Sequence, residues 1–174
     1  TLSASQAFPW FGQLAAQEQA AAAMAKAKYA EFTERRNKLF YEAKKAYYAL
    51  YVQNHSLKLA EENLAILKSF REFAKIRFET GKGVFSDVLR ADMEIARTEN
   101  DLLYLKEKEW PLRSEFEKLV AQKGLGEISF PDTLWPDEIN TEKNILSDSV
   151  MANNPALEKM DHEIASWEKQ AEAA

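Results

Sequence analysis

The sequence contains no cysteine, and only five glycines and five prolines. Without cysteine there is no disulfide framework and no thiolate metal site, and the redox compartment stays open. So few turn-formers cannot serve a many-stranded sandwich or barrel, so this chain alone does not build an all-β fold. Long apolar runs are missing too. Nothing approaches the roughly 18 apolar residues of a membrane-spanning helix, and mean hydropathy is −0.47. Neither sign of charge dominates: 23 Lys and Arg are interspersed with 28 Asp and Glu, for a net charge of −5. That balance argues against nucleic acid as the main partner. What is present, 46% apolar and 29% charged residues, suits a folded chain and not an acidic disordered tail. The 174 residues allow one domain, or a domain with an extension, and the reading is all-α.

Glycine and proline fall in clusters that divide the chain. Pro9 and Gly12 stand at the start, Gly81 and Gly83 form a tight pair, and Pro111 is alone. Gly124, Gly126, Pro131 and Pro136 mark a second broken region, and Pro155 is last. Nothing interrupts Gln13 to Thr80, a stretch rich in the strongest helix formers. As one helix it would extend about 100 Å, a length that calls for a coiled coil or long bundle. Its periodicity agrees: Leu39, Ala43, Ala46, Leu50, Gln53, Leu57, Ala60, Leu64, Leu67, Arg71, Ala74 and Phe78 keep an unbroken 4-3 spacing. This is a heptad seam in which Ala lets a partner approach closely, weakened by the polar Gln53 and Arg71.

Beyond the glycine pair the spacing resumes through Val88, Ala91, Ile95, Thr98, Leu102, Leu105, Glu109, Leu112, Phe116 and Leu119. Two long helices joined by a short glycine-containing turn make an antiparallel hairpin, here residues 13–122 with its tip at 81–86. Pro111 removes a backbone donor and should bend the second helix near Glu107, splitting it in two. Residues 123–153 read as an irregular connector, with at most one short strand at Ile128-Ser129-Phe130. Asn154-Pro155 is a helix start, Asn capping and Pro in the first turn. Leu157, Met160, Ile164, Trp167 and Ala171 continue that helix over 154–174 at 3-4 spacing, and it could lie beside the unpaired first half of the long helix. Phe40, Tyr47, Tyr51, Ile66, Phe70 and Phe73 form a second stripe off the first seam. It reads either as one wide core face or as a contact for further helices from other copies of the chain. Both ends look cut, as in a piece of a longer protein.

The turn reads Arg77-Phe78-Glu79-Thr80-Gly81-Lys82-Gly83-Val84-Phe85-Ser86-Asp87-Val88-Leu89-Arg90-Ala91. It resembles the helical-hairpin tip of the TolC-type outer membrane efflux proteins. Two further stretches agree in order. Gln6-Ala7-Phe8-Pro9-Trp10-Phe11-Gly12 is similar to the family's exit from its barrel strand into the long helix. Asn154-Pro155-Ala156-Leu157 resembles the opening of each of its two repeats. The Phe-Pro-Trp-Phe-Gly and Gly-Lys-Gly details look most like the metal-ion efflux branch (CzcC- or CusC-like).

The resemblance implies a homotrimer in the parent protein, its helices forming a periplasmic tunnel under a shared barrel in the outer membrane of a Gram-negative bacterium. The tip would meet a periplasmic adaptor, which joins it to an inner-membrane pump. Residues 1–12 would be the remnant of one barrel strand and its turn, with Leu2, Ala4, Gln6 and Phe8 alternating and Trp10 and Phe11 at interface level. Residues 13–122 would be the hairpin, 123–153 the equatorial connector, and 154–174 the first helix of the second repeat. An open set of strands cannot insert in lipid, so the barrel belongs to the parent protein only.

Within that frame the docking tip comprises Arg77, Gly81, Lys82, Gly83, Val84 and Ser86. The glycines supply the positive φ a hairpin needs, and Arg77 supplies hydrogen bonds at the rim. Asp87 suits the positive end of the return helix and Ser86 could cap it. Alternatively, three copies of Asp87 form an anionic ring in the lumen, with Arg90 pairing to hold the tip shut. No other chemistry is indicated. His55 and His162 stand alone and read as surface residues. Met24, Met93, Met151 and Met160 read as packing, and Gly81-Lys82-Gly83 lacks the rest of a phosphate loop. No enzyme, metal site or cofactor is expected. The competing readings are the hairpin of a periplasmic adaptor, a coiled-coil scaffold, or a lipid-surface helix. The last wants basic polar faces, and here Glu and Lys are mixed.

Overall fold

The computed structural model describes residues 2–4, 10–134 and 142–174. Among them are four helices and no strand: α1 (Gln13–Glu79), α2 (Phe85–Leu119), α3 (Lys143–Ala152) and α4 (Pro155–Glu172). The all-α expectation holds, and neither the short strand at 128–130 nor a break at Pro111 is found. Most of the barrel-strand remnant at Thr1–Phe8, together with Pro136, lies outside the described residues. None of these helices is long and apolar enough to cross a membrane. The chain divides into two compact units, residues 1–40 with 134–174, and residues 41–133.

The second unit is the hairpin. Salt bridges join α1 to α2 at Glu61–Lys106 (3.7 Å), Lys68–Glu99 (3.1 Å) and Arg71–Asp92 (3.0 Å), numbers rising on one helix as they fall on the other. The helices are therefore antiparallel. These exposed pairs add little stability, and the apolar seam carries the packing. Ala46, Leu50 and Gln53 on α1 and Val88, Thr98 and Leu102 on α2 are buried. The other seam positions are half-covered, except the exposed Leu39, Phe78 and Glu109. Gln53 does not weaken the seam as its polarity suggests: its amide donates to the backbone carbonyl of Leu105. Thr98 satisfies its hydroxyl on the Glu94 carbonyl, one turn back.

Pro111 lies inside α2, which continues past it to Leu119. Proline costs the carbonyl of Glu107 its helical donor. Both residues are exposed, so water replaces that bond and the helix need not end. At its C-terminus α2 closes with Gln122 N–H on the Glu117 carbonyl and Ala121 N–H on the Lys118 carbonyl. Ala121 sits at φ 55°, the left-handed position usually given to glycine in this motif.

In the first unit the early part of α1 lies antiparallel to α4. Gln13 Nε2 donates to the Ala173 carbonyl (2.9 Å) and Ser166 Oγ to the Ala20 carbonyl (2.9 Å), while Lys159 acts on Glu31. Ala16, Ala20, Ala27 and Ala30 are buried, as is Ser166. On the α1 side the contact is made by small residues, which let the backbone of α4 come close at Ser166. α4 thus lies beside the first half of α1 as expected, and its apolar stripe of Leu157, Met160, Ile164 and Trp167 is exposed. Ala156, Lys159, Glu163 and Ser166 are the covered side. An alanine surface accepts a flat partner, and a row of large side chains would hold the helices apart.

The connector also differs from expectation, since residues 143–152 form α3, every residue of which is exposed. Asn154 caps α4 as expected, its side chain accepting from Ala156 N–H (3.0 Å) with Pro155 in the first turn. Of the four methionines expected to pack, Met24 is half-covered and Met93, Met151 and Met160 are exposed.

Candidate functional site: the hairpin tip

The tip is closed by backbone geometry before any side chain takes part. Gly81 adopts φ +70°. Its N–H bonds to the Phe78 carbonyl (3.0 Å), and Lys82 N–H bonds to the Arg77 carbonyl (2.8 Å). This paired arrangement satisfies the last carbonyls of α1 and reverses the chain. Open space surrounds the missing Cβ of Gly81, so only its φ demands glycine. Gly83 is glycine for another reason than the one expected. It has no positive φ, and a Cβ there would lie 3.0 Å from Arg77 Cβ and 3.3 Å from the Arg77 and Phe78 backbone. A Cβ would be tight there, and Arg77 would have to give by a few tenths of an ångström to admit it.

Arg77 works inside the turn. Its Nη2 donates to the Lys82 carbonyl at 3.0 Å, reciprocating the Lys82 N–H bond, and its guanidinium carbon lies 5.9 Å from the Phe73 ring centre. α2 then begins one residue before Ser86. Val84 is its N-cap residue, extended and without a side-chain cap bond. Ser86 and Asp87 both lie in the first turn, so Ser86 does not cap the helix. Asp87 still lies where the helix dipole favours a carboxylate. Asp87 and Arg90 are exposed, and among the described residues neither makes a salt bridge.

Of the apolar part of the tip, periodicity singled out Phe78 and Val88 but not Phe85 or Leu89. Phe78 and Phe85 pair across the turn with ring centres 5.5 Å apart, over the buried Val88. Val84, Phe85 and Leu89 are exposed beside Lys82, an apolar cluster of the kind that marks a contact surface. For Phe85 the sequence signal is the run Val84-Phe85 directly after a glycine turn, where polar residues are usual.

Among the described residues no group of three His, Cys, Asp or Glu could hold a metal ion. His55 stacks on Tyr51 with ring centres 4.3 Å apart, and His162 lies 3.8 Å from Glu158. Both are half-covered rather than free on the surface.

Comparison with curated proteins and with solved structures gave no match. The family model for the outer membrane efflux proteins matches residues 1–108, which take in α1, the tip and most of α2. Members of that family are channels and not enzymes, and the adaptor-hairpin and scaffold readings give way to it. The chain belongs to the outer membrane efflux protein family.

Proposed function

We propose that this chain is the periplasmic tunnel-forming part of an outer membrane efflux channel in a tripartite export system. Its tip docks a periplasmic adaptor that is linked to an inner-membrane pump, and the parent protein is a homotrimer. One observation carries the reading most: a rigidly closed turn at the end of a long hairpin presents Val84, Phe85 and Leu89 to solvent. The uncovered faces of the same helices, with Ile66, Phe70 and Phe73 exposed on α1, supply the lateral contacts a ring of copies needs. The docking surface is Lys82, Val84 and Ser86 together with Phe85, while Arg77, Gly81 and Gly83 hold its shape. Asp87 and Arg90 then fall near the tunnel end, where repeated charges set up the field that passing ions meet. The metal-ion branch rests on the short Phe8-Pro9-Trp10-Phe11-Gly12 and Gly81-Lys82-Gly83 stretches alone.

The test is made in the parent protein. Val84→Glu and Phe85→Glu should leave its yield in the outer membrane unchanged and abolish export. Wild-type export from both variants would remove tip docking.

A further inference from the structure

Past α2, residues 123–133 run without regular structure, held mainly by side chains that grip their backbone. Arg113 Nη2 donates to the carbonyls of Leu125 and, at 2.8 Å, Gly126. Glu117 Oε1 accepts from Leu125 N–H at 3.2 Å and from Arg113 Nε at 3.3 Å. Further along, Tyr47 and Tyr51 donate their hydroxyls to the carbonyls of Ser129 and Asp132, both at 3.4 Å. The Phe130 ring lies 5.6 Å and 6.2 Å from those two rings. Beneath is a cavity of about 190 Å³ lined by Leu50, Asn54, Glu127 and Phe130 among others. Asn54 Oδ1 is buried without a partner.

The two tyrosine bonds are at the long, weak end of the range. The polar anchoring therefore falls on Arg113 and Glu117, and the bonds that Glu117 accepts are charge-assisted, and so at full strength, while it is a carboxylate. This segment also divides the aromatic stripe of α1. Tyr51 is buried and Tyr47 half-covered, while Phe40, Ile66, Phe70 and Phe73 are exposed.

We propose that residues 123–133 are an acid-released strap: ionised Glu117 latches it over Tyr47 and Tyr51, and protonation of Glu117 frees it and uncovers both rings. The electrostatics run the right way. Hydrogen bonding from the Gly124 backbone, then from Arg113 and the Leu125 backbone, holds Glu117 below the ordinary value of 4.5. A carboxylate with a depressed folded-state pKa stabilises its bonds above its unfolded value, and that contribution is lost as pH falls through the lower folded value. Arg113 is the one charged group that acts on Glu117. The strap meets it with backbone N–H groups, its own charges being Lys123, Glu127 and Asp132. From α1 the cavity is lined by uncharged Leu50, Gln53, Asn54 and Leu57, with Glu109 of α2 opposite. Glu42, Lys45 and Glu115 line a separate recess beside Leu119. The proposal does not depend on docking at the tip.

Hydroxyl-radical footprinting of the 174-residue chain between pH 7 and pH 3 tests it, with the exposed Tyr48 as internal reference. Tyr47 and Tyr51 should become severalfold more reactive as pH falls through the lowered Glu117 value, below the ordinary carboxylate range, while Tyr48 and the buried Leu102 do not change. Glu117→Gln should show the reactive state already at pH 7 and no titration. Three results would overturn the strap: Tyr51 protected throughout, a Glu117→Gln profile matching wild type, or Leu102 opening together with Tyr51. Should Glu117→Gln unfold, Arg113→Ala provides the second check, since Tyr51 must be more reactive at neutral pH there too.

Discussion

Leu102 and Leu103 are chemically identical neighbours on α2, yet the first is 7% exposed in the seam and the second 62% exposed. Replacing each by alanine in turn separates seam from surface. At Leu102 the change removes buried methyl groups and leaves a cavity against α1, which costs about 2–5 kcal/mol. At Leu103 the side chain is mostly in water already, and alanine is the better helix former, so the expected change is within about 0.5 kcal/mol. At about 2–4 °C per kcal/mol for a chain of this size, Leu102→Ala should lower the melting temperature by roughly 4–20 °C while Leu103→Ala scarcely moves it. Circular dichroism with thermal and urea unfolding measures both. Repeating it across protein concentrations adds a second reading, because a contribution from Leu103 that appears only at high concentration belongs to contacts between copies. Equal losses at high dilution would refute the seam as drawn.

Other outcomes follow from single contacts. Gly81→Ala should cost about 1–2 kcal/mol through its left-handed backbone alone, whereas Gly83→Ala must push Arg77 aside, which amide exchange at Lys82 would register as a loosened turn. Ala121→Gly relieves the same left-handed strain at the end of α2, and a net gain of about 0.5–1 kcal/mol in urea unfolding is expected. Gln53→Leu should be tolerated within about 1 kcal/mol, because the Leu105 carbonyl keeps its helical partner; Gln53→Glu turns a buried charge toward that carbonyl and should cost about 2 kcal/mol or more at neutral pH. Ser166→Leu should force α4 off Ala20, seen as lost protection in the first unit with the hairpin untouched.

Much of the hairpin is legible in the sequence, because a heptad seam bounded by glycines states its own period and turning point. Ala46, Leu50, Gln53, Val88, Thr98 and Leu102 all came from spacing alone. The tip was legible in position and less so in cause: Gly81 and Gly83 look equivalent in sequence, yet one answers to φ and the other to a 3.0 Å approach. α4 lies where the sequence put it, but periodicity identifies an apolar stripe without saying which molecule covers it. The signal that would have helped is the alanine row of α1, where only small residues such as Ala156 and Ser166 can meet a backbone so closely. Lys143–Ala152 escaped because every one of its residues is exposed, leaving no inward-facing pattern to find. Pro111 misled because the cost of an interior proline is small where solvent takes over the freed carbonyl.

Spin labels at Glu61 and Lys106 test the antiparallel register most directly. In the hairpin these side chains meet at 3.7 Å, so their label separation should be the shortest of any pair tried, and moving the second label to Asp92 should lengthen it by about 20 Å along the helix axis. A single continuous rod through the glycines would instead hold the first pair about 68 Å apart, and that distance would contradict the fold and the function built on it.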